Sequence, residues 1–161
     1  MMNKSGDNGG WIRMPDMTQD SLRSAVRQEI SMDCVDACGN AHTLHAQLGY
    51  EIDDPYAVTL TFRVPGEDVV WTFGRELIAA GLVEPHGDGD VHVWPENDHG
   101  SGAMVMIELC SPDGHLLAAA PANEIHRFLL RTHALVPVGH EASFLNVDRL
   151  ISALLAPETH A

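Results

Sequence analysis

Between residues 57 and 73 the chain alternates apolar and polar residues around one tight break, and this pattern constrains the fold more than any other feature. Val58, Leu60, Phe62 and Val64 fall on one side of an extended chain, with Thr59, Thr61 and Arg63 on the other, because successive side chains of a strand point to opposite faces. Pro65-Gly66-Glu67-Asp68 turns the chain, and residues 69–73 return as the partner strand. The same period appears upstream. Val26, Gln28, Ile30, Met32 and Cys34 predict a half-buried strand from about Ser24. Gly39-Asn40 turns it, residues 43–51 follow with Leu44, Ala46 and Leu48 on one face, and Asp53-Asp54-Pro55 turns again. Four strands joined by short turns make an antiparallel meander.

The period then becomes helical over 75–80, where Leu77 and Ile78 are apolar and Gly81 is a natural stop. Residues 87–90 read as a loop, 91–94 as a short strand closed by Pro95, and 96–101 as a polar turn. Strands over 102–110 and 115–120 flank the turn Ser111-Pro112-Asp113-Gly114. Two helices follow. Ile125, Phe128, Leu129 and Thr132 share one face of the first. Asn146 caps the second, Asp148 suits its first turn, Val147, Leu150, Ile151 and Leu154 form its stripe, and Pro157 ends it. Pro137 and Gly139 lie in the loop between them. The expected fold is α+β, an antiparallel sheet of about seven strands with one short helix mid-chain and two C-terminal helices. No internal repeat or heptad pattern is visible.

With 161 residues, 45% of them hydrophobic, the chain suits one domain. Its expected span is 24–156, between a disordered polar tail over 1–23 and a short tail over 157–161. Trp11-Ile12 is the strong apolar pair of the first tail, either a docking motif or a weak contact with the domain. No run approaches the roughly 20 apolar residues that span a bilayer, and residues 1–20 lack a signal-peptide apolar stretch. The expectation is therefore a cytoplasmic protein without direct membrane insertion. Three cysteines, an odd number, fit a reducing compartment.

Charge narrows the partners. The formal net charge is −14, with Lys4 the sole lysine beside eight arginines. A nucleic-acid binder needs cations to displace the counterions condensed on phosphate, so no nucleic-acid partner is expected. Arg127 and Arg131 lie four residues apart but read as a solvated helix face. Anionic membrane surfaces are disfavoured for the same reason.

Two clusters invite a metal reading. Cys34, Cys38, His42 and His45 offer four ligands within twelve residues, the number a structural zinc takes, although the cysteine spacing departs from the common knuckle. The plainer alternative is a surface hairpin with a buried cysteine. His86, Asp88, Asp90, His92, Asp98 and His99 form a second polar concentration. It lacks the ligand order and distal Glu of a calcium loop, and turn chemistry accounts for residues 87–90. No nucleophile elbow, phosphate-binding loop or metalloprotease helix motif is present. No cofactor is implied. Trp71 and Trp94 sit among apolar neighbours, as core residues do.

From Tyr50 onward, six motifs occur in one order. They are Y-E-I-D-D-P-Y-A-V-T-L-T-F at 50–62, W-T-F-G-R-E-L-I-A-A-G-L at 71–82, G-D-G-D-V-H-V-W-P at 87–95, S-P-D-G-H-L at 111–116, P-A-N-E-I-H-R-F-L-L-R-T at 121–132 and L-V-P-V-G-H-E at 135–141. In this the chain resembles the SsgA-like sporulation and cell-division proteins of mycelial, spore-forming bacteria, over roughly residues 24–155. The resemblance implies a strongly bent antiparallel sheet similar to that of the Whirly single-stranded nucleic-acid proteins, assembled as a homotrimer. It implies a non-enzymatic adaptor concentrated at the septum, whose partner is the tubulin-like division protein FtsZ, the cell-wall machinery or another SsgA-like protein. The Whirly likeness raises single-strand binding as a further class, against which the charge argues. The family brings no catalytic residues. The candidate contact residues are Arg75 and Glu76 on the short helix, and Asp88, Asp90 and His92 in the acidic loop. For Arg75 the plainer alternative is an intramolecular ion pair.

Overall fold

Alternation resolves into one eight-stranded antiparallel sheet in the computed structural model, which describes residues 24–36, 38–98, 100 and 102–157. The tail expected over 1–23 and the last residues, 158–161, lie outside the described residues, as do His99 and Ser101. The strands are β1 (Ala25–Val35), β2 (Ala41–Glu51), β3 (Ala57–Val64), β4 (Glu67–Gly74), β5 (His86–Asp88), β6 (Val91–Asp98), β7 (Gly102–Ser111) and β8 (Gly114–Pro121). Helix α1 (Arg75–Gly81) follows β4, and α2 (Ala122–Leu135) follows β8. A 3-10 turn (Glu141–Phe144) and helix α3 (Val147–Leu155) end the described chain.

The spatial order is β4-β3-β2-β1-β8-β7-β6-β5. Each half is a four-strand meander followed directly by a helix, so the structure repeats a ββββα unit that the sequence does not advertise. Both helices also start alike, after an extended Gly74 or Pro121 with no side-chain cap. The halves meet where β1 pairs with β8, at Asp33↔Ala119 and Cys34↔Ala118. By contrast β1 pairs with β2 along its whole length, from Ala25↔Glu51 to Val35↔Ala41. The sheet is strongly bent, as the family resemblance implies.

The alternation places the core. Val26, Ile30, Met32 and Cys34 of β1, Ala46, Leu48 and Tyr50 of β2, and Val58, Leu60 and Phe62 of β3 point inward. Val93, Val105, Ile107, Leu109 and Ala118 do so from the other half. Helix α2 packs on β1, β7 and β8 through the four residues that its period predicts, Ile125, Phe128, Leu129 and Thr132. Each of its fully buried apolar side chains contributes about 1.5–3 kcal/mol relative to exposure. Trp71 is half-buried against this core.

Four expectations change. Among the described residues there are eight strands where about seven are expected, because β5 is only three residues of turn-like composition. Pro95 does not close its strand; β6 runs through it, with Pro95 opposite Val105. The pairing of β5 with β6 reaches only to His86↔Val93, so β6 is a sheet edge at Pro95, where a missing N–H is tolerated. Residues 96–98 accordingly extend β6 instead of turning. Gly81 is not a left-handed stop but the last residue of α1, and it is needed for close approach. A Cβ there would lie 2.3 Å from Val93 Cγ1, so α1 could not rest on β6. Helix α3 forms with the cap and stripe that its sequence predicts: Asn146 accepts from the Arg149 amide at 2.9 Å, and Val147, Leu150, Ile151 and Leu154 are all exposed.

Candidate functional site

Arg75, the first residue of α1, is carried inward by the chain turning out of β4. Its amide donates to Tyr56 O at 2.7 Å, and its side chain runs beneath the helix to become 3% exposed. The guanidinium Nη1 donates to Thr132 O at 3.2 Å and to Val136 O at 2.8 Å, while Nη2 donates to Glu141 Oε1 at 2.8 Å. The cation also lies 5.0 Å from the centroid of the Tyr50 ring, whose hydroxyl donates to Pro55 O at 2.9 Å. One side chain thus caps the C-terminal carbonyls of α2, where a positive charge is favoured, and ties β2, α1, α2 and the 3-10 turn together.

This network floors a cleft of about 670 Å³ whose lining includes Tyr56, Glu76, His86, Asp88, His133 and Glu141. Backbone donors, together with Arg75, hold the Glu141 carboxyl below its ordinary value. Burial, reinforced by the charge of Arg75, lowers His133. The Tyr50 phenol is raised, chiefly by burial. With Arg75 satisfied from within, the rim presents the exposed carboxylates of Glu76 and Asp88.

Of the candidate contact residues, then, two reach this cleft from the surface. Arg75 is not a surface contact. It is the buried member of an ion pair, as its plainer alternative holds, because at the first position of α1 it faces the carbonyl end of α2. Asp90 and His92 stand elsewhere. His92 lies on the outer face of β6, its Nδ1 3.6 Å from Glu108 Oε2, and Asp90 accepts from the Cys110 amide through its carbonyl at 2.8 Å. Glu108 Oε1 is also 2.6 Å from His115 Nε2. The Cys110 thiol is raised by burial first, then by Glu108 and Asp90.

The Cys34/Cys38/His42/His45 hairpin forms as a hairpin, with Cys34 opposite His42, but it does not converge. Cys34 is buried in the core and Cys38 is exposed in the turn. Asp36 organises that turn, accepting from the Cys38 and Asn40 amides at 2.9 Å each and meeting His42 Nε2 at 2.7 Å. His45 Nδ1 lies 3.3 Å from Ser31 Oγ. These bonds, led by His42, hold the Asp36 carboxyl far below the usual range.

Sequence reasoning misses Tyr50, His133 and Glu141 as partners of Arg75, and Glu108, Cys110 and His115 as neighbours of His92. The first set is separated from Arg75 by up to 66 residues. Only strand register joins the second.

Comparison with known proteins bears on the whole arrangement. A family described as the Streptomyces sporulation and cell division protein SsgA matches residues 44–141, which include α1, the cleft and Glu141. The chain belongs to the SsgA family. It is 41% identical to the sporulation-specific cell division protein SsgB of Streptomyces coelicolor over 136 residues, 84% of this chain and 98% of that one. It is 42% identical to SsgB of Salinispora tropica over 136 residues, 83% and 94% of the two chains. The crystal structure of an SsgA-like sporulation-specific cell division protein from Thermobifida fusca superposes with a TM-score of 0.72 at 35% identity, covering 82% of this chain and 96% of that one. A structure described with SsgB mutations that correlate to longitudinal cell division during sporulation of Streptomyces coelicolor gives 0.70 at 41% identity, covering 76% and 96%.

Proposed function

We propose that this SsgA-family chain is a non-catalytic regulator of sporulation-specific cell division that works at the septum by binding other proteins. The observation that carries the reading is the division of labour at the cleft. Arg75 and Glu141 are tied up internally and make the floor rigid, while Glu76 and Asp88 face outward around it. An acidic rim over an ordered floor suits a partner segment that presents cationic side chains. The partner class is the division machinery, FtsZ or another SsgA-like protein. The working form is a homotrimer in the cytoplasm, built on a domain spanning 24–156.

The test uses tagged full-length chain and tagged residues 24–161 in pull-downs from sporulating cells, each beside a Glu76→Arg/Asp88→Arg variant. The reading expects division or cell-wall proteins to be recovered by both wild-type forms and lost from the variant. Recovery by the full-length chain alone moves the contact into residues 1–23, around Trp11. Undiminished recovery by the variant rules out the cleft.

A further inference from the structure

The outer face of the second meander gathers ligands that belong to neither the core nor the cleft. His92 on β6 is the direct register partner of Glu108 on β7, and Cys110 follows two residues later on the same face of β7. One ligand atom from each of these three residues comes within 4.8 Å of the others. Metal–ligand bonds of about 2.0–2.3 Å in a tetrahedron set donor atoms roughly 3.3–3.7 Å apart. The His92–Glu108 separation, 3.6 Å, already has that value, and the Cys110 sulfur lies within 4.8 Å of a donor atom of each.

We propose that His92, Glu108 and Cys110 form a binding site for a borderline divalent cation, zinc foremost, with solvent in the fourth position. The donor set selects the ion. An imidazole, a carboxylate and a thiolate favour zinc over magnesium or calcium, which take oxygen ligands. Cys110, whose thiol is raised, releases its proton as the metal binds, and the resulting thiolate and the Glu108 carboxylate neutralise a dication. Both strands are locked in the ladder, so the three residues share one face before the metal arrives.

Two further features fix the side chains of this group. Glu108 presents Oε2 toward His92 while Oε1 lies at hydrogen-bond distance from His115 Nε2, 2.6 Å. This is the outer-shell arrangement that orients a ligating carboxylate. Gly87 stands opposite His92 in the β5–β6 register, and a Cβ there would lie 2.3 Å from His92 Cδ2. The imidazole therefore rests directly on the β5 backbone. His115 is a positioning residue here, and the bound ion would clip β6 to β7 beside the short β5.

Chelator-treated full-length protein dialysed against zinc chloride tests the proposal by elemental analysis, with cobalt(II) as a spectroscopic probe. One zinc per chain is expected, together with a thiolate-to-cobalt charge-transfer band. Cys110→Ser and, independently, His92→Gln abolish both, whereas Cys38→Ser, in the β1–β2 turn, changes neither. His115→Ala weakens binding by roughly 10- to 100-fold while retaining the band. Zinc absent from the wild-type protein, a band that survives Cys110→Ser, or binding lost with Cys38→Ser each overturns the assignment.

Discussion

Replacing Arg75 with alanine removes three hydrogen bonds, one of which is the ion pair with Glu141, from a position that is 3% exposed. Thr132 O keeps its bond from the Val136 amide at 2.9 Å, but Val136 O loses the donor described for it, Glu141 is left with its backbone donors alone, and the Tyr50 ring loses its cation. Breaking a buried charged pair from one side costs about 3–5 kcal/mol, because the groups left behind stay desolvated. For a chain of this length each kcal/mol corresponds to about 2–4 °C, so a fall in Tm of roughly 6–20 °C is expected. Urea denaturation followed by circular dichroism measures the loss directly. Arg75→Lys keeps the charge without the fork and should lose about half as much. Arg75→Met with Glu141→Leu removes both charges and should be more stable than Arg75→Ala, which separates desolvation from loss of packing. A loss below about 1 kcal/mol for Arg75→Ala at unchanged m-value would falsify the account of Arg75 as the tie between α1 and α2.

Phe128→Ala, in the fully buried face of α2, should cost about 3–5 kcal/mol by chemical denaturation, whereas Leu154→Ala on the exposed stripe of α3 should stay within about 0.5 kcal/mol of the parent as an isolated chain. Glu141 titrates below its ordinary value of 4.5 in the folded state. Its contribution is therefore complete above that pH and is lost as the pH falls through the lowered value, so Glu141→Gln should flatten the acid limb of the stability profile. Gly81→Val should separate α1 from β6 and lower Tm, and an unchanged Tm would mean that the contact with Val93 yields freely. Light scattering of the full chain should return about three chain masses if the trimer assignment holds; a monomer at micromolar concentration contradicts it.

Much of the fold is legible because one inference, the period of two, is repeated. The inward set of β1 to β3 follows from alternation alone, and the buried face of α2 follows from a period of 3.6. Legibility fails where local chemistry is ambiguous. Gly87 to Asp90 has turn composition, yet its first half pairs with β6. Pro95 reads as a stop until the edge position of its strand is known. The apolar stripe of α3 is legible as a stripe, but its exposure is not, because burial depends on what stands opposite and not on the stripe itself. Family motifs led to Glu76 and Asp88 at the cleft, but the same motifs also offered Arg75 as a surface contact.

By itself the sequence determined the strand and helix periods, the acidic character that disfavours nucleic acid, and a family likeness spread over six ordered motifs. These are properties of neighbouring residues or of the whole composition, and they require no knowledge of distant contacts. Tertiary structure alone decided that Arg75 turns inward to Val136 and Glu141, that the hairpin cysteines and histidines disperse, and that His92, Glu108 and Cys110 converge. Each outcome depends on which strand lies beside which, and in what register. Shifting a register by one residue sends every side chain to the opposite face, so side chains far apart in sequence meet only once the whole sheet has closed around α2.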